Sequence, residues 1–193
     1  MLSSLKLFSG TVVLLAVGFA AGVLVQANLG PPTPAPSAAP QAHPQVQLDL
    51  NQSTEAIQAI TRLESHLQHA PDDLSARIDL ANALFDAERY SEAVPHYQMA
   101  LETRPDNADI RTDLGICFRR SGDGNRAVAA FRRAIQDAPQ HINAHFNLGV
   151  VLAYDLDDAA GAIAAWERFL ELAPNAPNAD QVRSAIGEMK AER

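Results

Sequence analysis

The chain has 193 residues, with 15 Lys+Arg against 23 Asp+Glu and a formal charge of -8. That length holds one ordinary globular domain or two small ones, and the acidic balance argues against a nucleic-acid binder, whose affinity comes mainly from neutralised phosphates. A single cysteine excludes an internal disulfide and any CxxC metal or redox pair.

Between Lys6 and Asp49 no side chain carries a formal charge, so the chain reads as three parts: 1–27, 28–50 and 51–193. Residues 7–25, LFSGTVVLLAVGFAAGVLV, are uncharged and mostly apolar. As a helix they would span about 28 Å, close to the roughly 30 Å hydrocarbon core of a bilayer. The run is longer than the apolar region of most cleavable signals, about 7–15 residues. It is therefore expected to be an uncleaved transmembrane helix, with cleavage at Val25-Gln26-Ala27 as the alternative. No cysteine follows the run, which excludes a bacterial lipoprotein. Lys6 before the apolar run favours a cytoplasmic N-terminus and places the remainder outside the cytoplasm. The expected location is the bacterial inner membrane, single-pass with a periplasmic C-terminal domain, or a soluble periplasmic protein if the signal is removed. Gly18 and Gly22 stand at GxxxG spacing, which would allow a weak homodimer, although small residues are common in such helices.

Residues 28–50 hold Pro31, Pro32, Pro34, Pro36, Pro40 and Pro44, half of the 12 prolines of the chain. This composition cannot bury a core and favours extended polyproline II, as a tether or, less suitably outside the cytoplasm, an SH3-type ligand. Beyond it, residues 53–69 read as a capping helix opened by Ser53, Thr54 and Glu55.

A repeat follows. Ala59, Ala93, Ala127 and Ala162 are separated by 34, 34 and 35 residues, and Pro71, Pro105, Pro139 and Pro174 keep the same spacings. Leu63, Tyr97, Phe131 and Trp166 lie four residues after the alanines. Leu80, Leu114 and Leu148 each precede a small residue, Ala81, Gly115 or Gly149. Small residues let two antiparallel helices approach while the aromatic fills the space between them. Each proline falls just past a helix end, where it stops the helix and turns the chain. The predicted units are 74–107, 108–141 and 142–176, closed by a capping helix over 178–191 with Val182, Ile186 and Met189 on one face. Pro95, early in a second helix, is expected to cause a small irregularity.

Leu80-Ala81…Leu84…Ala93…Tyr97…Ala100-Leu101…Pro105, and its copies from Leu114 and Leu148, resemble the tetratricopeptide repeat family. The third copy has one extra residue around Asp155–Asp158, and Phe169 stands where the family prefers alanine, suggesting wider packing against the terminal helix. The resemblance implies an all-α fold, a right-handed helix-turn-helix solenoid of eight helices behind a single N-terminal transmembrane helix.

It also implies a concave groove lined by the first helix of each repeat. On this chain the lining would be Ile78, Asp79, Asn82, Phe85 and Asp86, then Asp109, Thr112, Asp113, Ile116, Arg119 and Arg120, then Asn143, Phe146, Asn147, Val150 and Tyr154. Apolar groups there exceed what a solubilised surface needs, and asparagines can bond the backbone of a bound segment. Phe146 and Val150 have the alternative of packing on the terminal helix. The subgroup of the family that clamps a C-terminal carboxylate needs groove cations. Ile78, Asn82, Asp113, Asn143 and Asn147 stand at those places, so only Asn82 matches. Acids in the first half of the groove would suit a basic and apolar ligand, or simply a solvated face.

His141 and His145 have a spacing that can share a metal, but no third ligand completes a site, and His145 falls at a packing position. His66 and His69 read in the same way. Asp155, Asp157 and Asp158 lack the glycine and closing glutamate of a calcium loop. Gly122-Asp123-Gly124 is a helix connection, not a phosphate loop. Cys117 reads as a core thiol and Trp166 as core. No nucleophile–base–orienter set is visible and no cofactor is implied, so the chain reads as non-enzymatic. The expected function is a membrane-anchored interaction module that binds a peptide segment of an exported protein as an assembly or biogenesis factor. The alternative is a self-associating structural scaffold of the cell envelope.

Overall fold

The computed structural model describes residues 44–192, with side chains from Thr54 onward. The expected membrane segment 7–25, with Gly18 and Gly22, and the expected tether up to residue 43 lie outside the described residues. Among the described residues there are eight helices and no strand: α1 (Pro44–His69), α2 (Leu74–Asp86), α3 (Tyr90–Thr103), α4 (Ala108–Arg120), α5 (Gly124–Asp137), α6 (Ile142–Tyr154), α7 (Ala159–Leu172) and α8 (Ala179–Ala191). None of them is long and apolar enough to cross a membrane.

The first helix corrects one expectation. It opens at Pro44, inside the stretch expected to be an extended linker, and not at Ser53. Pro44 is the last proline of the tract, and a proline costs little at the first helical position, where its missing N–H has no intrahelical partner. Residues 45–50 contain neither proline nor glycine, so nothing stops the helix from extending back to Pro44.

Helices α2/α3, α4/α5 and α6/α7 form the three repeats, and each stacks on the next through α3 on α4 and α5 on α6. Helix α1 packs on α2, and α8 packs on α7. Within each pair a small residue faces an aromatic from the second helix. Ala81 and Tyr97 are both buried. A Cβ on Gly115 would lie 2.6 Å from Phe131 Cε1, and one on Gly149 would lie 2.3 Å from Trp166 Cδ1. Both distances are too short for a carbon pair, so the glycines set the interhelical approach. Cys117 is buried in this core, and burial pushes its thiol up to about 12. Phe169 sits with Val182 and Ile186 against the terminal helix, as its bulk suggested.

The caps repeat with the units. The first helices are capped by Asp73, Asn107 and His141, each accepting from the backbone N–H three residues on. The second helices α5 and α7 are capped by Asp123 and Asp158 in the same manner. At each turn within a repeat one residue adopts a left-handed conformation: Glu88 at φ 58°, Gly122 at φ 84° and Asp157 at φ 53°. Arg89 N–H bonds Leu84 O and Asp123 N–H bonds Phe118 O, the six-to-one closure that ends a helix around such a residue. In the third repeat the extra residue lengthens this closure, so that Asp158 N–H reaches Leu152 O. Helix α3 continues through Pro95 as one helix.

Candidate functional site

First helices α4 and α6 touch, and Asp86 of α2 is near enough to Asp113 of α4 to act on its carboxyl. Residues 34 apart occupy equivalent places on the inner surface of the first helices. Along one row stand Asp79, Asp113 and Asn147, and along the next Asn82, Ile116 and Val150.

The first half of this surface is acidic and apolar. Ile78, Phe85 and Ile116 are half-buried, each with one side on the core and one open, and Phe85 meets Tyr90 edge-on at 5.4 Å between ring centres. Asp79 and Asp86 are exposed. Asp109 is also exposed, and its carboxylate accepts from His141 Nε2–H at 2.9 Å. Asp113 lies half-buried, and no cation pairs with it among the described residues. Burial, and then the neighbouring Asp109 and Asp86 charges against the opposing His141, raise its carboxyl to about 6. This is an unneutralised acid held in a partly desolvated place.

Several expected contact groups turn out to be engaged already. Asn82 is exposed, yet its Oδ1 accepts the hydroxyl of buried Tyr97 at 2.8 Å, so it ties α2 to α3. Arg119 donates two hydrogen bonds to Asp155, at 2.6 and 3.2 Å, linking the ends of α4 and α6. Arg120 extends over the Tyr90 ring at 6.0 Å from its centre. Asn147 donates to Asn143 O one turn back along α6. Thr112 is 3% exposed and bonds Ala108 O, so it lines no groove. Its short side chain returns to its own helix backbone instead of reaching outward.

The second half of the surface is aromatic. Phe146 and Val150 pack with the Trp166–Phe169–Val182 cluster, which realises the alternative of contact with the terminal helix. Both remain half-buried, however, and with Tyr154 they line a cavity of about 160 Å³ whose far walls are Trp166, Gln181, Val182 and Ala185. Trp166 and the α8 residues were not expected in the site. The one signal in the sequence was Phe169 at an alanine place, which implied that the last interhelical gap differs from the others.

The histidines act in structure. His141 Nδ1 accepts from Ala144 N–H as a helix cap, which leaves Nε2–H to donate to Asp109 and fixes the tautomer. His145, buried, donates Nε2–H to Pro139 O. His66 donates to Asp73, and His69 to Ser65 O. Among the described residues no group of three or more His, Cys, Asp or Glu is placed to hold a metal ion. Asp155, Asp157 and Asp158 serve the α6–α7 turn, the first pairing Arg119 and the last capping α7.

The paired helices and their shared inner surface define a helical-repeat solenoid. The tetratricopeptide repeat model matches residues 45–108, 78–142 and 112–177, and the chain belongs to that family. No curated protein matches the chain in sequence. Among solved structures it is similar to MamA (18% identity, 74% of this chain and 81% of that one, TM-score 0.66). It is also similar to YrrB, a TPR protein with an unusual peptide-binding site (21% identity, 72% and 70%, TM-score 0.63). A third similar structure is the Yersinia enterocolitica type III secretion chaperone SycD in complex with a peptide of the translocator YopD (18% identity, 63% and 95%, TM-score 0.59). At these identities the likeness is one of fold.

Proposed function

We propose that this chain is a membrane-anchored interaction module, exposed outside the cytoplasm, whose concave surface captures a peptide segment of an exported partner as an assembly or biogenesis factor. The observation that carries the groove reading is Asp113. A carboxylate that is partly desolvated and unpaired, with half-buried Ile78, Phe85 and Ile116 on the same surface, suits a segment that brings a Lys or Arg beside apolar side chains. Two proteins of the same fold, SycD and YrrB, are described with a bound peptide or a peptide-binding site, which supports the class of ligand. The anchor and the periplasmic exposure rest on the composition of residues 7–25 and on Lys6.

The test uses the full-length chain in bacterial cells, with a photo-crosslinking residue at Ile116 and separation of membrane from soluble fractions. A crosslinked partner in the membrane fraction, lost in Asp113→Asn with Asp79→Asn, is expected. Crosslinks only between copies of the chain would favour the self-associating scaffold. Recovery of the full-length chain in the soluble fraction would remove the anchor.

A further inference from the structure

The inner surface has a polarity along its length. The inner faces of α2 and α4 carry Asp79, Asp86, Asp109 and Asp113, with Arg119 paired to Asp155 and Arg120 laid over Tyr90, whereas α6 has no formally charged side chain. At that neutral end lies the cavity of about 160 Å³ between α6, α7 and α8. Its existence follows from the third repeat's departures. Phe169 stands where Ala100 and Ala134 stand in the preceding repeats. Its ring lies 5.3 Å from that of Phe146, so the last gap is set by two aromatic rings instead of by alanine.

The chemistry of the walls restricts the occupant. Val150, Val182, Ala185 and Phe146 offer only hydrocarbon. Trp166 Nε1–H is already donated to Phe146 O at 3.1 Å, and the other polar group of the lining, the amide of Gln181, belongs to an exposed residue of α8. An apolar cavity of about 150 Å³ holds a benzene-sized group, so this one takes one side chain and no backbone. Tyr154 forms the rim, 64% exposed and 6.0 Å from the Trp166 ring, with a free face for stacking.

We propose that this cavity is the anchor subsite for one aromatic or bulky aliphatic side chain of the bound segment, whose basic residues lie over Asp113 and Asp79. The inference rests on the groove reading above and gives it a direction: cationic end on α2 and α4, apolar anchor between α6 and α8. Exposed Asp79 and Asp86 beside Asp113, which no cation pairs among the described residues, suit a basic amphipathic segment. Neighbouring helix axes are about 8–10 Å apart, so the last cation and the anchor are separated by about three extended residues.

The chain's single tryptophan, Trp166, forms a wall of the cavity and reports its occupancy directly. Two labelled Lys/Ser/Ala peptides are titrated into the full-length chain, one with a Phe three residues beyond its last Lys and a twin with Ala at that place. Binding is read by peptide anisotropy and cavity filling by Trp166 emission. The Phe peptide is expected to bind about ten- to hundredfold tighter and alone to shift the emission. Ala185→Phe, which fills the cavity, should abolish that advantage. Tyr154→Ala, which removes only the exposed rim, should reduce it and keeps the test valid if Ala185→Phe does not fold. Equal binding of both peptides with unmoved Trp166 emission would overturn the anchor subsite while the groove stands. Binding of neither would overturn both, and a Phe advantage that persists unchanged in both variants would place the anchor elsewhere.

Discussion

His145 of α6 donates its Nε2–H to the carbonyl oxygen of Pro139 at 3.0 Å, across the loop that joins the second repeat to the third. Arg77 makes the same contact with Pro71 O, and Arg111 with Pro105 O. In each case the donor stands six residues after the proline and in the first helix of the next unit. The proline that ends one helix frees a carbonyl of the loop, and the next helix supplies the donor. This clamp ties each connecting loop to the first helix of the next unit.

The two kinds of clamp should differ in cost when removed. His145→Ala removes one hydrogen bond and some buried ring, and is expected to lower stability by about 1–2 kcal/mol. Arg111 additionally donates to Asp137 at 3.1 Å, where the carboxylate side chain is only 8% exposed. Arg111→Ala leaves that acid with Arg133 alone, so about 2–4 kcal/mol is expected. Urea denaturation of both variants checks the order. Equal losses would show that the Asp137 pair contributes nothing beyond the clamp.

Three glycine-to-alanine changes separate packing from backbone entropy. Gly149→Ala drives a methyl to 2.3 Å from the Trp166 indole, and Gly115→Ala drives one to 2.6 Å from Phe131. Each should cost about 2–3 kcal/mol, and the former should also move Trp166 emission. Gly187, in the middle of α8, has nothing within 4 Å of a built Cβ. Gly187→Ala should stabilise by about 0.5–1 kcal/mol. Thermal melts of the three variants would contradict this account if Gly187→Ala lowered the midpoint.

The turn within each repeat needs one left-handed residue, and only the second repeat uses glycine there. Glu88 adopts φ 58° at the equivalent place of the first repeat. A side chain in that region costs about 1–2 kcal/mol, so Glu88→Gly should stabilise by up to about 1 kcal/mol, while Gly122→Ala should destabilise by a similar amount. Midpoints of chemical denaturation give both signs. A loss on Glu88→Gly would mean that the side chain holds a contact worth more than the strain.

Most of the fold was legible because it is written in a repeated contact. Leu-small on the first helix and an aromatic on the second specify one packing geometry, and a recurrence of 34 residues specifies stacking. The helix boundary at Pro44 was not legible, because proline tracts and helix starts both admit proline. For the expected groove residues Asn82 and Arg119, register gave no sign of the partners that hold them. Tyr97 and Asp155 are brought to them by pairing within and between repeats, at separations that no helical period encodes. Thr112 shows the converse limit, since register put it on the inner surface and a bond to its own backbone withdrew it.

The pH dependence of the domain should carry the signature of Asp113. Its carboxyl rises from the ordinary 3.8 to about 6, chiefly through burial. The folded state therefore binds this proton more tightly than the unfolded state does, and stability falls as pH rises from about 4 to 6. Asp113→Asn removes that fall. Because the group is partly open to solvent, the expected gain at pH 7 is about 1–2 kcal/mol, vanishing near pH 4. Capture of a basic segment should move the other way, weakening as pH falls through 6; Asp113→Asn should bind less well at pH 7 and converge with the wild type near pH 4. Denaturation midpoints and peptide affinities of both forms across pH 4–8 test the pair of signs. A variant that is more stable and binds less well would identify an acid kept at a cost to stability for the sake of its ligand. A variant that loses both would make Asp113 a structural residue.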